Sequence, residues 1–311
     1  MLGQLAKDFP QDVRVVYRHF PLPGHDKSLL ATQAAEAAGI QGKFWEMHDA
    51  IFAGQATWTG MTLDQFEAWL KDQAKTLGLD QAKFATDLKS EALVQKATQA
   101  TENGKKIQIP GTPFILINSR PYEGPRDYDN LAAIVKSIKL EDRMFKICPP
   151  MTIDPKKQYT ATIKTNVGDV VVQLFADKAP MTVNSFIFLV KQGWYDNIIW
   201  HRVIAGFVAQ SGDPSGTGFG GPGYAYSNEI TTDAHFDKAG VVGMANAGPN
   251  SNGSQFFIAF APIPDLDGQY TIFGQVIAGM DVLGKLTPRD PSAGNPLPEG
   301  SKIILVTITE K

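Results

Sequence analysis

The sequence predicts a protein of two domains, in which a mixed α/β domain is followed by a mainly-β domain. The chain has 311 residues, enough to build two cores of ordinary size. Apolar residues recur at helical spacing through much of the first half, whereas from Tyr159 onward they alternate with a period of two. A stretch from about Lys139 to Lys157 is charged, proline-rich and aperiodic, which is typical of a linker. We therefore predict domains at residues 1–140 and 158–311, joined by a linker at residues 141–157.

The composition excludes several classes of protein. With 43% hydrophobic and 20% charged residues, the chain is typical of a folded globular protein rather than a disordered one. A formal net charge of −3 without a Lys/Arg stripe argues against nucleic acid as a partner. Cys148 is the only cysteine, and the five histidines lack ligand spacing, so we expect no internal disulfide, no metal and no cofactor. No apolar run approaches the ~20 residues that would span a membrane.

The pattern of apolar residues in the first half predicts mostly helices, with one strand before them and one strand after them. Thr62 and Gln65 have the spacing of a capping box at the start of one helix. His19, His25 and His48 are scattered among these elements, and structural roles are favoured for all three. In chain order, we predict a helix end at Met1–Pro10, a strand at Val13–His19, helices over about residues 26–104, a strand at Phe114–Asn118 and a helix at about residues 127–138.

Three runs of this half, RHFPLPGHD, GKFWEMHDAIF and IPGTPFILIN, resemble the DsbA-like branch of the thioredoxin fold over about Met1–Leu140. The resemblance implies an α/β domain with a helical insertion, a cis bond between Thr112 and Pro113, and a redox-active Cys-x-x-Cys motif. In that family the motif follows a central strand, at the start of the helix whose end is represented here by Met1–Pro10. Neither that strand nor the cysteine pair is present, so this half is not expected to exchange disulfides.

Two interpretations of the missing dithiol stay open. The favoured one is a gene product shortened at its N-terminus, whose full form has an export signal and acts outside the cytoplasm as a bifunctional isomerase and thiol-disulfide oxidoreductase. The other is a degenerate domain kept for packing or for binding client proteins. Met1–Pro10 has none of the features of a signal peptide, so a complete chain would be expected to be cytoplasmic.

The second half predicts a β-rich domain with few helices. A hairpin pattern surrounds Asn166-Val167-Gly168, and many short alternating strands follow, which suits a closed antiparallel barrel. The predicted strands are YTATIKT, DVVVQLF, WHRVI, FVAQSG, GVVGMA, SQFFIAF, YTIFGQVI and KIILVTIT, with helices at Ala179–Gln192 and Met280–Leu286.

Three runs of this half predict a binding site, namely WHRVIAGFVAQSGD, MANAGPNSNGSQFFI and LDGQYTIFG. In an extended segment, residues two apart point to the same face, so Val208 lies beside Gln210 and Phe257 lies beside Gln255. With Arg202 nearby, the runs predict an apolar cup that has one cation and two amides at its rim. No nucleophile–base pair, carboxylate pair or phosphate-binding loop accompanies it.

These three runs, in this order and spacing, resemble the cyclophilin family of peptidyl-prolyl cis/trans isomerases over roughly Tyr159–Lys311. The resemblance implies an eight-stranded closed barrel with a helix at each end, and rotation about X-Pro bonds in peptides and unfolded proteins. Such a reaction needs no bond making, which fits the chemistry of the cup. The barrier of ~18–20 kcal/mol reflects lost amide resonance, and a guanidinium aimed at the pyramidal proline nitrogen would lower it.

The resemblance also assigns roles to individual residues. Arg202 stabilises the twisted amide nitrogen, Gln210 and Gln255 orient Arg202 or the substrate carbonyl, and His201 and Asp213 are supports. The proline pocket and peptide-binding segment are formed by Phe207, Val208, Phe257, Leu266, Tyr270 and the backbone of Ala245, Asn246 and Ala247.

Three positions depart from the family pattern. Val208 stands where many members have Met, and Tyr270 stands where His is frequent. Asp265 stands where some members carry a Trp associated with cyclosporin, which puts binding of that drug, but not isomerase activity, in doubt. The alternative function is a proline-peptide binding module or chaperone without turnover.

Overall fold

The computed structural model describes residues 1–22, 24–294 and 297–311. It divides into two compact units. One unit comprises residues 14–124 and is called the helical unit here. The other comprises residues 1–13 and 125–311 and is called the β-rich unit. Within the described ranges, no helix is both long and apolar enough to cross a membrane.

The helices and strands are numbered in chain order. The α-helices are α1 (Leu2–Asp8), α2 (Ser28–Ile40), α3 (Phe44–Ala53), α4 (Gln55–Trp58), α5 (Leu63–Thr76), α6 (Gln81–Leu88), α7 (Glu91–Lys106), α8 (Tyr128–Glu141), α9 (Pro180–Lys191) and α10 (Met280–Leu283). The strands are β1 (Ile115–Ile117), β2 (Arg120–Tyr122), β3 (Tyr159–Thr165), β4 (Gly168–Leu174), β5 (Ile198–Ile199), β6 (Arg202–Ile204), β7 (Val208–Ser211), β8 (Val241–Met244), β9 (Phe256–Ala259), β10 (Ile272–Ala278) and β11 (Lys302–Glu310).

The helical unit packs around α2, whose buried face consists of small residues. Ala34, Ala37 and Ala38 are fully buried, and Phe66 and Phe84 from α5 and α6 belong to the same cluster. Alanine favours the helix and lets neighbouring helices approach closely, so the larger side chains come from the partner helices. The predicted capping box of α5 is present, because the N–H of Gln65 donates to Oγ1 of Thr62 at 3.3 Å and the reciprocal bond measures 2.9 Å.

The strand content of the helical unit is smaller than predicted. β1 and β2 form a hairpin whose turn residues, Asn118 and Ser119, have positive φ angles of 48° and 66°, as two-residue turns require. The Thr112–Pro113 bond is cis, as predicted. The predicted strand Val13–His19 is wrong: residues 13–20 have no regular secondary structure, because no described strand pairs with their backbone. β-branched residues favour a strand only where such a partner exists.

The β-rich unit contains one antiparallel sheet of nine strands, in the order β5-β11-β3-β4-β10-β8-β9-β7-β6. We predicted eight strands in a closed barrel, whereas the described sheet ends at two edges, β5 and β6. The extra strand arises where the chain changes partner on either side of Trp200 and His201. Before them Ile198–Ile199 pairs with β11, and after them Arg202–Ile204 pairs with β7. The sheet surrounds a core that includes Phe186, Trp200 and Phe256.

The segment predicted as a linker makes specific contacts with the β-rich unit. Arg143 donates hydrogen bonds to the carbonyls of Gly193 and Trp194, and its guanidinium lies 5.3 Å from the Trp194 ring centroid. The N–H of Phe145 donates to the carbonyl of Pro222 at 2.8 Å. Residues 1–13 and 125–140, which we assigned to the first domain, also group with this unit.

Candidate active site

A row of directly opposed residues runs across neighbouring strands of the β-rich unit. Arg202 on β6 faces Gln210 on β7, Gln210 faces Phe257 on β9, and Phe257 faces Gly243 on β8. Gly243 in turn faces Ile272 on β10. Directly opposed residues in antiparallel strands project from the same face of the sheet. Strand register therefore brings together a cation, an amide and an aromatic ring from three separate segments.

Arg202 is half-buried at the edge of the sheet. The carbon of its guanidinium lies 5.4 Å from the Phe207 ring centroid, within the range of a cation–π contact. Among the described residues, no hydrogen bond or ion pair engages this guanidinium. Its donors are therefore available to a ligand on this face.

The two predicted amides bind each other and a glycine-rich loop. The side-chain nitrogen of Gln210 donates to the side-chain oxygen of Gln255 at 3.0 Å. The nitrogen of Gln255 donates to the carbonyls of Gly218 and Gly220 at 2.9 and 2.8 Å. Gln255 is thus saturated as a donor, while the side-chain oxygen of Gln210 accepts no hydrogen bond from any described residue.

The glycine-rich loop is organised by the buried carboxylate of Asp213. Six hydrogen bonds reach this carboxylate, from the N–H and hydroxyl groups of Ser215 and Thr217 and from the N–H groups of Gly218 and Gly220. Burial alone would raise the pKa of Asp213, but these hydrogen bonds outweigh it and lower the pKa. The charged carboxylate holds the loop rigidly beside Gln255, which supports the structural role predicted for it.

The predicted pocket residues lie in one apolar cluster. Val208 and Phe257 are buried, and Phe207, Ala245, Leu266 and Tyr270 pack against them while remaining partly exposed. The ring centroids of Phe257 and Tyr270 are 5.5 Å apart in an edge-to-face arrangement. The structure therefore brings all six of these residues together.

Sequence reasoning missed Phe236, which supports this cluster from below. Phe236 is fully buried and stacks on Phe257, with ring centroids 5.4 Å apart. Its N–H donates to the carboxylate of Asp267, the residue after Leu266. Phe236 lies outside every strand, so no alternating pattern marked it.

The segment Ala245–Ala247 continues β8 beside the cluster. The N–H of Ala245 donates to the carbonyl of Gln255, and that of Ala247 donates to Oγ of Ser251, both at 2.9 Å. In the described part of the chain, the N–H of Asn246 has no such acceptor. Of the three predicted peptide-binding residues, Asn246 therefore offers the available backbone donor.

His201 lies directly behind Arg202 and is almost fully buried. Neither ring nitrogen has a hydrogen-bond partner within the described residues. Burial is the largest influence and lowers the pKa of His201 to about 4, although the nearby Asp213 carboxylate acts in the opposite direction. The imidazole is therefore neutral at pH 7 and adds no second positive charge beside Arg202.

The arrangement suits recognition without bond making. Over the described ranges, no group of three or more His, Cys, Asp or Glu side chains could hold a metal ion. Cys148 is half-buried in the β-rich unit, and burial raises the pKa of its thiol, so it is a poor nucleophile at neutral pH. What remains is a free guanidinium, a fixed amide pair and a small apolar cluster.

Comparisons with known proteins identify the family. Residues 160–307 match the model for cyclophilin type peptidyl-prolyl cis-trans isomerases. The peptidyl-prolyl cis-trans isomerase ppi1 of Schizosaccharomyces pombe is 47% identical over 146 residues, which are 46% of this chain and 94% of that protein. The chain belongs to the cyclophilin family. Its predicted activity as a peptidyl-prolyl cis-trans isomerase is thereby confirmed.

Further comparisons concern a longer relative, a solved structure and the part of the chain that precedes the cyclophilin match. The peptidyl-prolyl cis-trans isomerase-like 2 of Cryptococcus neoformans is 45% identical over 156 residues, which are 47% of this chain and 27% of that longer protein. A crystal structure of a Cryptosporidium parvum cyclophilin aligns with a TM-score of 0.46 and 38% identity, covering 49% of this chain and 98% of that chain. Residues 4–137 match a thioredoxin family model, which confirms a thioredoxin-like part before the cyclophilin part.

Proposed function

We propose that this cyclophilin catalyses rotation about X-Pro bonds with Arg202 as its electrophilic group. The observation that carries the proposal is the unpaired guanidinium of Arg202, held beside Phe207 in a row with Gln210 and Phe257. The guanidinium carbon of Arg202 lies 5.4 Å from the Phe207 ring centroid, and Phe207 packs against the apolar cluster that contains Val208 and Phe257.

The chemistry follows from what changes during rotation. A planar amide delocalises the nitrogen lone pair, and twisting localises it, which accounts for most of the ~18–20 kcal/mol barrier. A guanidinium that donates to this nitrogen binds the twisted amide more strongly than either planar isomer, which is the condition for catalysis. Arg suits the role because its charge is permanent and its donors are fixed in a plane.

The remaining residues position the substrate. The proline ring would pack against Phe257 and Phe207, while the partly exposed Leu266 and Tyr270 close the pocket. Gln210, anchored by Gln255 at 3.0 Å, would present its oxygen to Arg202 or accept from the peptide. Burial of one apolar side chain contributes roughly 1.5–3 kcal/mol to a complex, which makes binding depend on the proline.

The peptide backbone would lie along Ala245–Ala247 as an added extended segment. Asn246 offers a free N–H there, and side chains of the peptide would alternate toward and away from the pocket. Binding in this mode depends on the backbone of the peptide rather than on its amino-acid sequence, so unfolded proteins are the proposed clients. Asp265, which replaces the Trp associated with cyclosporin, is exposed on the 3-10 helix Pro264–Leu266. A cyclosporin-binding measurement tests whether this replacement weakens binding of the drug.

Isomerisation of an Ala-Pro test peptide by wild type and Arg202→Ala tests the mechanism. We expect kcat/KM to fall by about 100- to 1000-fold, since loss of one donor to a developing charge costs this much. Arg202→Lys should recover only part of the rate, because it keeps the charge and loses the planar donors. Arg120→Ala, an exposed arginine of the helical unit, is the matched control.

Two outcomes would change the proposal. Unaltered turnover in folded Arg202→Ala would remove Arg202 from the mechanism. Proline-dependent binding by a folded wild type that shows no turnover would leave a binding module or chaperone instead of the proposed mechanism. Circular dichroism of each variant separates these outcomes from misfolding.

For the thioredoxin-like part, we propose a DsbA-like origin without thiol exchange in this chain. Cys148, the only cysteine of the sequence, lies in the β-rich unit. The proposed family resemblance rests on the helical insertion and the Gly-Thr-Pro run before β1. An insulin-reduction assay with this chain should give the uncatalysed rate. We also propose that the protein acts outside the cytoplasm, and fractionation of cells that make it tests this location.

A further inference from the structure

Asp290 lies directly opposite Arg202, although the two residues are far apart in sequence. The N–H of Val203 donates to the carbonyl of Arg289 at 2.8 Å, and the N–H of Arg289 donates back at 2.9 Å. In an antiparallel bridge, the residue before one partner faces the residue after the other, which pairs Arg202 with Asp290. Asp290 has extended backbone angles, φ −105° and ψ 109°, so the chain remains extended from the bridge through this residue.

Opposed positions place both side chains on one face of the sheet, with Cβ atoms ~4.5–5.5 Å apart. Asp290 therefore extends the row of Arg202, Gln210 and Phe257 by one position. The neighbouring Arg289 points elsewhere, because its guanidinium donates to the carbonyls of His201 and Pro298. Asp290 is thus the acidic group next to Arg202 on the substrate-facing side.

The carboxylate of Asp290 is held in place through only one of its two oxygens. Its Oδ1 accepts hydrogen bonds from the N–H and hydroxyl of Ser292, at 2.9 and 2.7 Å. In the described part of the chain, Oδ2 has no hydrogen-bond partner, and no ion pair joins this carboxylate to Arg202. The Ser292 hydrogen bonds and, to a smaller extent, the Arg202 charge lower the pKa of Asp290, so the group is anionic at pH 7.

The order of the row gives a direction to the bound peptide. Residues before the proline are proposed to bind along Ala245–Ala247, which follows β8 on the far side of Phe257. The proline lies between Phe257 and Arg202. Residues after the proline therefore leave toward Asp290, one strand spacing of ~4.8 Å beyond Arg202.

We propose that Asp290 is a specificity-determining residue that binds a basic side chain within two residues after the substrate proline. The inference rests on the proposed placement of the proline beside Arg202. A Lys or Arg side chain is long enough to reach the free Oδ2 from either position, while Arg202 remains directed at the proline nitrogen. Because the carboxylate is exposed to solvent, the preference is modest and falls with added salt.

Four peptides test the proposal at low ionic strength. Each contains Ala-Pro, with Lys, Ala or Glu at the second position after the proline, or with Lys at the second position before it. We expect wild type to favour Lys over Ala after the proline by about three-fold in kcat/KM, and to disfavour Glu similarly, as exposed ion pairs allow. Lys before the proline should give no advantage.

Variants then assign the preference to one carboxylate. In Asp290→Asn, which keeps the acceptor for Ser292, the Lys/Ala ratio should fall to about one, and in Asp290→Lys the Lys/Glu ratio should invert. Asp281→Asn makes the same change in net charge on α10, where Asp281 pairs with Lys285, and should leave the ratio unchanged.

The outcomes separate this proposal from the one on which it rests. A wild type that isomerises all four peptides equally, or a Lys preference that survives Asp290→Asn, overturns the role of Asp290 while Arg202 catalysis stands. A parallel change for all four peptides in Asp290→Asn also overturns it, because the residue would then act only through Arg202. Failure of Arg202→Ala to lose activity would instead remove the placement of the proline.

Discussion

The two compact units build their cores from different kinds of residue. The helical unit has a core rich in alanine and leaves Trp45 and Phe52 44% and 59% exposed. The β-rich unit buries its largest rings, including Trp194, Trp200 and Phe256, in one continuous core. A core of interlocked rings holds strand register firmly, and register is what aligns Arg202, Gln210 and Phe257. The unit with the aromatic core is the one that carries the candidate site.

The largest expected effect is loss of a ring from the β-rich core. Phe256→Ala should lower the free energy of unfolding of this unit by about 3–5 kcal/mol, since Phe256 is fully buried among other rings. Phe52→Ala on the exposed surface of the helical unit should change stability by less than about 0.5 kcal/mol. Urea unfolding followed by proteolysis and peptide mass spectrometry assigns each transition to a unit. Equal effects in the two variants would contradict the role of Phe256 in the core.

The second effect is a pH dependence centred on His201. Because burial lowers its pKa to about 4, unfolding allows the ring to take up a proton, and the stability present above pH ~6.5 is lost as pH falls toward 4. The loss is about 3 kcal/mol, at about 1.4 kcal/mol for each pKa unit.

Unfolding curves of the β-rich unit between pH 7 and 4.5 test this slope. His201→Gln should flatten the curve, because the buried ring that takes up the proton on unfolding is removed. An identical slope in His201→Gln would assign the acid sensitivity to other groups.

The smallest effect is confined to the helical unit. Thr62→Ala removes the capping box of α5 and should cost this unit about 1 kcal/mol, while Thr62→Ser should retain most of the stability. Turnover of an Ala-Pro peptide should not change in either variant. A loss of turnover would mean that the helical unit contributes to the activity of the β-rich unit.

Local patterns were sufficient to predict which side chains of the candidate site lie together, but not the residues at its periphery. Arg202, Val208, Gln210, Gln255 and Phe257 lie in or beside short strands, where a spacing of two residues fixes the shared face. Phe236 and Asp290 lie in irregular segments, and only long-range pairing brings them to the same place. No local spacing could have identified them.

The errors in the predicted strands also come from long-range pairing, which local patterns do not show. Val13–His19 has the composition of a strand, but a strand is a property of two segments and this one has no described partner. The division of the Ile198–Ile204 region into β5 and β6 reflects a change of pairing partner at Trp200, which composition does not encode.

The contacts of residues 141–157 have a practical consequence for making a catalytic fragment. The family match begins at residue 160, and a fragment cut there would lack Phe145, whose ring lies 4.9 Å from that of Phe188 and 6.0 Å from that of Trp194. The cut would uncover these apolar rings and invite aggregation. A fragment that starts before Leu140, itself part of the same core, preserves the covering and is the better unit for crystallisation and assay.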